Sequence, residues 1–199
     1  AAVILYPGEG SFRDGQVKDN AIRYSNVFPG IDYQYTVLGN SVKEDIILLE
    51  RGEKNSFTYH IDPCGLSGEI RNNALYLYEP GADPESEAAF VLEAPEMTDS
   101  AGEVSFGVAM TMEEREGLFS VTVTADKSWL EDAKRVYPVR IDPTAVQVTG
   151  SAIHMACAEE GSPNTVIGDN AYPYVGYDDG ITSGNLSGFG TRHKNCRTY

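Results

Sequence analysis

Tyr33, Tyr35 and Val37 alternate with Asp32, Gln34 and Thr36; Gly39-Asn40 follows, and the largely apolar run Val42 to Leu49 comes next. Side chains alternate across a strand with period two, and Gly-Asn tolerates the positive φ of a tight hairpin. The stretch therefore predicts two antiparallel strands joined by a short turn. Nothing else in the chain constrains its fold as strongly, and weaker versions of the same pattern recur. Phe57, Tyr59 and Ile61 alternate with Thr58, His60 and Asp62; Leu75 to Tyr78 follows an Asn72-Asn73 turn; further candidates are Ala1 to Pro7, Ala89 to Leu92, Val104 to Met110 and Leu118 to Thr124. Pro80 to Glu85 and Thr98 to Gly102 separate them as turn-rich breaks. Helix signals are confined to Ser128 to Lys134, with Asp126 or Ser128 as N-cap. Short, evenly spaced strands with polar turns predict an all-β fold, an antiparallel β-sandwich-like domain.

The segment Tyr137-Pro138-Val139-Arg140-Ile141-Asp142-Pro143 reads as a closing strand: Tyr137, Val139 and Ile141 share a face, and prolines bracket the run. Trp129, the single tryptophan, precedes it and is expected to anchor it structurally. Residues 1–143 hold 25 acidic and 12 basic residues, whereas residues 144–199 hold 5 and 3, so the charge balance changes where this strand ends. A β-rich domain over 1–144 and a partial second β module over 145–199 are expected.

The formal charge of −15 disfavours nonspecific attraction to nucleic acid or an anionic membrane. No apolar run approaches the ~20 residues that span a bilayer. Ala1 to Pro7 is too short, and lacks the basic flank, to act as a signal peptide, so any export signal is expected to lie upstream or to have been removed.

The ordered set Phe28-Pro29-Gly30-Ile31-Asp32, Val42-Lys43-Glu44-Asp45-Ile46-Ile47-Leu48, Trp129-Leu130 and Tyr137 to Thr144 resembles the region upstream of YD repeats in large secreted, cell wall-associated Rhs-type proteins, chiefly of Gram-positive bacteria. Gly161-Ser162-Pro163-Asn164 and Tyr174-Val175-Gly176-Tyr177 resemble the start of a DNRLRE-type module. The resemblance implies a secreted or cell-surface scaffold whose partners are neighbouring domains of one large chain, with links to adhesion or toxin presentation. The sequence itself departs from that pattern in containing no YD repeat.

Motifs for common chemistries are missing: there is no Gly-x-Ser-x-Gly elbow, phosphate-binding glycine loop, His-Glu-x-x-His or CxxC. His60 has no local catalytic partner and is expected on a polar strand face. Glycosidases use two carboxylates about 5 to 9 Å apart, but sequence-adjacent acids such as Glu113-Glu114, Glu131-Asp132 and Asp178-Asp179 point to opposite strand faces or to solvent. Glu44 and Asp45 differ, because they sit inside an apolar strand: one must face inward or meet a cation. A structural ion pair with Lys43 or Arg23 is the preferred reading, ahead of an acid-assisted Lys-to-Asn isopeptide crosslink.

Cys157 and Cys196 sit in matching contexts, His154-Met155-Ala156-Cys157 and His193-Lys194-Asn195-Cys196. A Cys157–Cys196 disulfide, or a pair of neighbouring buried thiols, is preferred to a zinc site of His154, Cys157, His193 and Cys196, because residues three apart on a strand diverge. Cys64 is then the unpaired cysteine, a small buried apolar side chain. Asn and Asp oxygens between Gly161 and Gly180 offer a calcium alternative to ordinary Asx turns, and Tyr172, Tyr174 and Tyr177 a sugar-stacking platform in place of plain packing. The reading from sequence is a noncatalytic scaffold without cofactor, nucleic-acid partner or membrane span. A carbohydrate-binding module that meets surface glycan, or a glycan hydrolase, is the alternative.

Overall fold

A computed structural model describes residues 3–13, 15–38, 41–82 and 87–147, together with the backbone of a short hairpin, Ala158–Glu159 against Ser162–Val166. The architecture is all-β, antiparallel and sandwich-like. The strands are β1 (Ile4–Pro7), β2 (Gln16–Lys18), β3 (Ala21–Phe28), β4 (Ile31–Leu38), β5 (Ser41–Leu48), β6 (Ser56–Asp62), β7 (Ser67–Arg71), β8 (Ala74–Tyr78), β9 (Phe90–Leu92), β10 (Glu96–Thr98), β11 (Val104–Ser105), β12 (Val108–Arg115), β13 (Leu118–Ala125), β14 (Val139–Asp142) and β15 (Ala145–Gln147). Among the described residues there is one helix, α1 (Lys127–Glu131), capped by Asp126, whose side chain accepts from the Ser128 amide.

A four-stranded sheet runs β1-β6-β13-β12, and an eleven-stranded sheet runs β11-β10-β14-β5-β15-β9-β8-β7, with β4, β3 and β2 continuing from the second edge of β5. Phe57, Tyr59 and Ile61 of β6, with Phe119, Val121 and Val123 of β13, share one buried core with Ile22, Tyr24, Tyr33, Tyr35, Ile46, Leu48, Leu75, Leu77, Met97, Val139 and Ile141 of the larger sheet. The alternating apolar positions of the sequence are the inner faces of the two sheets, which is what burial of one face requires. The outward face of β6 and β13 carries hydroxyl pairs instead, Thr58 with Thr122 at 2.9 Å and Ser56 with Thr124 at 3.0 Å.

The motif Phe28-Pro29-Gly30-Ile31-Asp32 is the β3–β4 turn. Pro29 leads into Gly30 at φ +72°, a conformation that favours glycine. Asp32 fastens the turn by accepting from Arg23 Nη2 at 2.7 Å and from the Asn26 amide at 2.7 Å. The stretch expected as one strand from Val104 to Met110 divides at Phe106-Gly107 into β11 and β12, which enter different sheets.

β14 and β15 lie along the same edge of β5. Ile141 pairs with Ile46 and Ala145 with Val42, so one register carries through the break and sets Pro143 across from Glu44. On their far side β14 meets β10 and β15 meets β9. Residues 145–147, expected to begin a second module, are therefore paired within the first sheet system.

Candidate functional site

β5 carries the charged residues that the sequence singles out, and its pleat sends them apart. Glu44 points with Val42, Ile46 and Leu48 into the sandwich; Asp45 points with Lys43 and Ile47 to the opposite face. Both acids are buried, with 4% exposure for Glu44 and 3% for Asp45.

On the outer face Lys43 Nζ lies 2.7 Å from Asp45 Oδ1 and 2.5 Å from Asp142 Oδ2. Arg140 reaches Asp45 Oδ2 at 3.4 Å, and Thr144 donates to Asp142 at 2.6 Å. Burial by itself lowers the lysine pKa, but the bonds to Asp142 and Asp45 carry it above its ordinary value. Lys43 is thus held between two carboxylates in an ion-pair network. Arg23 pairs with Asp32 and with neither acid of β5.

On the inner face Glu44 Oε1 accepts from Tyr35 Oη at 2.7 Å. Burial is the main influence on this carboxyl. It outweighs the Tyr35 hydrogen bond and, with repulsion from Asp142 and Asp45, pushes the pKa up to about 7. Burial first, and the Glu44 charge second, also raise the Tyr33 and Tyr59 hydroxyls. The Tyr59 hydroxyl is buried without a hydrogen-bond partner among the described residues.

The second polar centre lies beneath α1. Arg135 Nη1 meets Asp99 Oδ2 at 2.8 Å, with both side chains buried. Asp99 also accepts from the Ala101 amide at 2.9 Å, Glu103 at 3.0 Å and Val136 at 3.1 Å. Trp129 is partly buried and packs on the core together with Tyr137; Tyr137 Oη donates to Leu130 O at 2.9 Å. The Tyr137-Pro138 peptide bond here is cis.

His60 is half-buried on the polar face of β6, with Nδ1 3.1 Å from Ser120 Oγ. Cys64 is disulfide-bonded, which corrects its assignment as the unpaired cysteine; its amide donates to Asp62 at 2.9 Å. Cys157 and Cys196, the proposed zinc ligands His154 and His193, the Asn/Asp oxygens offered for calcium and the tyrosines Tyr172, Tyr174 and Tyr177 lie outside the residues whose side chains are described. Among the described residues no three His, Cys, Asp or Glu side chains group closely enough to hold a metal, and no helix is long and apolar enough to cross a membrane.

Sequence reasoning missed the Arg135–Asp99 pair and the tyrosine surround of Glu44. A signal for the latter was present, since Tyr33 and Tyr35 flank the hairpin turn at positions that pair with Ile46 and Glu44.

No family model matches the chain, and no solved structure matches it. The chain is 32% identical over 151 residues, 72% of its length, to a protein of Bacillus subtilis strain 168 named tRNA nuclease WapA. Proteins of Bacillus spizizenii, named tRNA3(Ser)-specific nuclease WapA, and of Bacillus subtilis subsp. natto, named tRNA(Glu)-specific nuclease WapA, match it at the same 32% over the same number of residues. The match covers 6% of each relative's length.

These relatives are named as WapA nucleases, not as Rhs or YD-repeat proteins or as carriers of a DNRLRE module, which corrects the resemblance stated from the sequence. Because they are named as enzymes acting on tRNA, they also overturn the reading of a noncatalytic scaffold, its carbohydrate-binding and glycan-hydrolase alternatives, and a set of partners that excludes nucleic acid. The sequence reading failed there because it weighed only motifs and charge within 199 residues, a small fraction of the length over which such relatives extend.

Proposed function

We propose that this chain is one folded part of a large tRNA-cleaving enzyme of the WapA kind. The observation that carries this reading is the match over 151 residues to proteins named as tRNA nucleases. Two relatives whose names specify different tRNA substrates match the chain at the same 32% identity, which supports placing the choice of tRNA elsewhere in the full polypeptide.

We place the protein in a secreted or cell-surface setting. The Cys64 disulfide supports this, because such bonds persist in oxidising surroundings and are rare in a reducing cytoplasm.

The test is exchange of residues 1–147 in the full-length protein for the matching segment of one of the named relatives. The expected result is that tRNA is still cleaved and that the same tRNA species is chosen. A preparation that leaves tRNA intact before the exchange contradicts the nuclease assignment, and a change of tRNA species after it contradicts the placement of specificity.

A further inference from the structure

Glu44 is a carboxyl group buried in the core, and among the described residues no cation pairs with it. Its Oε1 accepts from the Tyr35 hydroxyl at 2.7 Å. The nearby cations Lys43, Arg140 and Arg23 are engaged with Asp45, Asp142 and Asp32, and Lys43 extends from the other face of β5. The titratable groups that surround Glu44 are Tyr33 and Tyr35 of β4, Tyr59 of β6, Asp142 at the end of β14, and Asp45 on its own strand; Tyr24 of β3 acts on Tyr35, and Glu9 acts on Tyr33 from the loop after β1. None of these is a cation, so an ionised Glu44 is left with hydroxyl donors alone.

The position across the seam matters as much as the burial. Register places Pro143 opposite Glu44, and proline has no N–H to give to the ladder. The seam between β5 and the β14–β15 strand is therefore interrupted beside the buried carboxyl.

We propose that Glu44 is a proton-controlled latch: neutral, it seals the seam between β5 and the β14–β15 strand, and ionised, it draws water in at Pro143 and loosens that seam. A buried carboxylate with too few donors is costly, and hydration is the cheapest remedy where a strand ladder is already open.

Burial carries the pKa of Glu44 from 4.5 to about 7, so the group changes charge in the neutral range. The folded value is raised, so the native protein holds a proton that the unfolded chain has released. The stability it contributes is complete below about 4.5 and is lost as pH rises through about 7.

Hydrogen exchange on the 199-residue protein at about pH 5.5 and about pH 8, corrected for intrinsic rates, tests the latch. In the wild type, amides of Ile46, Ile141 and Ala145 are expected to lose about tenfold in protection at the higher pH, while those of Val121 and Val123 in β13 hold theirs. In Glu44→Gln the seam is expected to be equally protected at both. Wild-type protection at the seam that does not change with pH, or the same loss in Glu44→Gln, overturns the proposal. Infrared difference spectra of the wild type provide a readout independent of any variant. A protonated-carboxyl band that persists above 4.5 and disappears near 7 supports the latch, and full ionisation by 4.5 overturns it.

Discussion

The guanidinium of Arg135 lies over the indole of Trp129, with Cζ 3.5 Å from the ring centroid. The same side chain donates from Nε to Trp129 O at 3.2 Å and from Nη1 to Asp99 at 2.8 Å. It thereby ties α1, the segment after it and the β10–β11 turn together, and the tryptophan packs against the core with an arginine plate on its face. Trp129→Ala is expected to cost about 3 kcal/mol, combining a lost partly buried aromatic with a lost cation–π contact. Trp129→Phe should lose clearly less. Urea titration checks this, and an Ala loss below about 1 kcal/mol contradicts the assigned role.

Asn73 closes the exposed edge of β12. Its Nδ2 donates to Val108 O and its Oδ1 accepts from the Met110 amide, each at 2.7 Å, so one amide side chain stands in for a neighbouring strand. Asn73 itself has φ +62°. Asn73→Gly keeps that conformation accessible and removes only the clamp, at an expected cost of about 1 to 2 kcal/mol. Asn73→Ala adds backbone strain and should be worse. Equal stability of Asn73→Gly and wild type in thermal or urea unfolding contradicts the clamp.

Asp99 determines part of the response to acid. Burial works to raise its pKa, but hydrogen bonds from Glu103, Val136, Arg135 and Ala101 together bring it below the usual carboxylate range. The folded value is depressed. Its stabilisation is therefore present above the unfolded carboxylate range and fades as pH falls through the lower folded value. Asp99→Asn should be less stable than wild type at neutral pH, with the gap narrowing at the acid end of a urea series. A gap that stays constant down to the acid transition contradicts this account.

Cys64 is expected to resist alkylation in the native protein until reductant is added, and nonreducing intact mass should fall about 2 Da below the reduced mass. Rapid labelling of Cys64 without reductant contradicts the disulfide.

The hairpin of β4 and β5, the strands β6, β8 and β13 and the closing strand β14 were legible because each alternates side chains over a local run, and Asn72-Asn73 announced its turn through residues that accept positive φ. That Glu44 or Asp45 must face inward was legible too. Which of them does so depends on the register with β4, where Tyr35 pairs with Glu44. The Arg135–Asp99 pair, the Asn73 clamp and the continuation of β14 into β15 join residues far apart in sequence, and no spacing encodes them. The nuclease relationship was not legible at all, because acidity and missing motifs describe these 199 residues and hold no trace of the tRNA nucleases that match them.

Sequencing of RNA ends across a whole tRNA pool, after incubation with the full-length protein, tests the central claim most directly. The account predicts new ends at a fixed position in tRNA, absent from samples treated with heat-denatured protein. An unchanged tRNA pool, from a preparation that hydrolyses a glycan or peptide polymer instead, would contradict it.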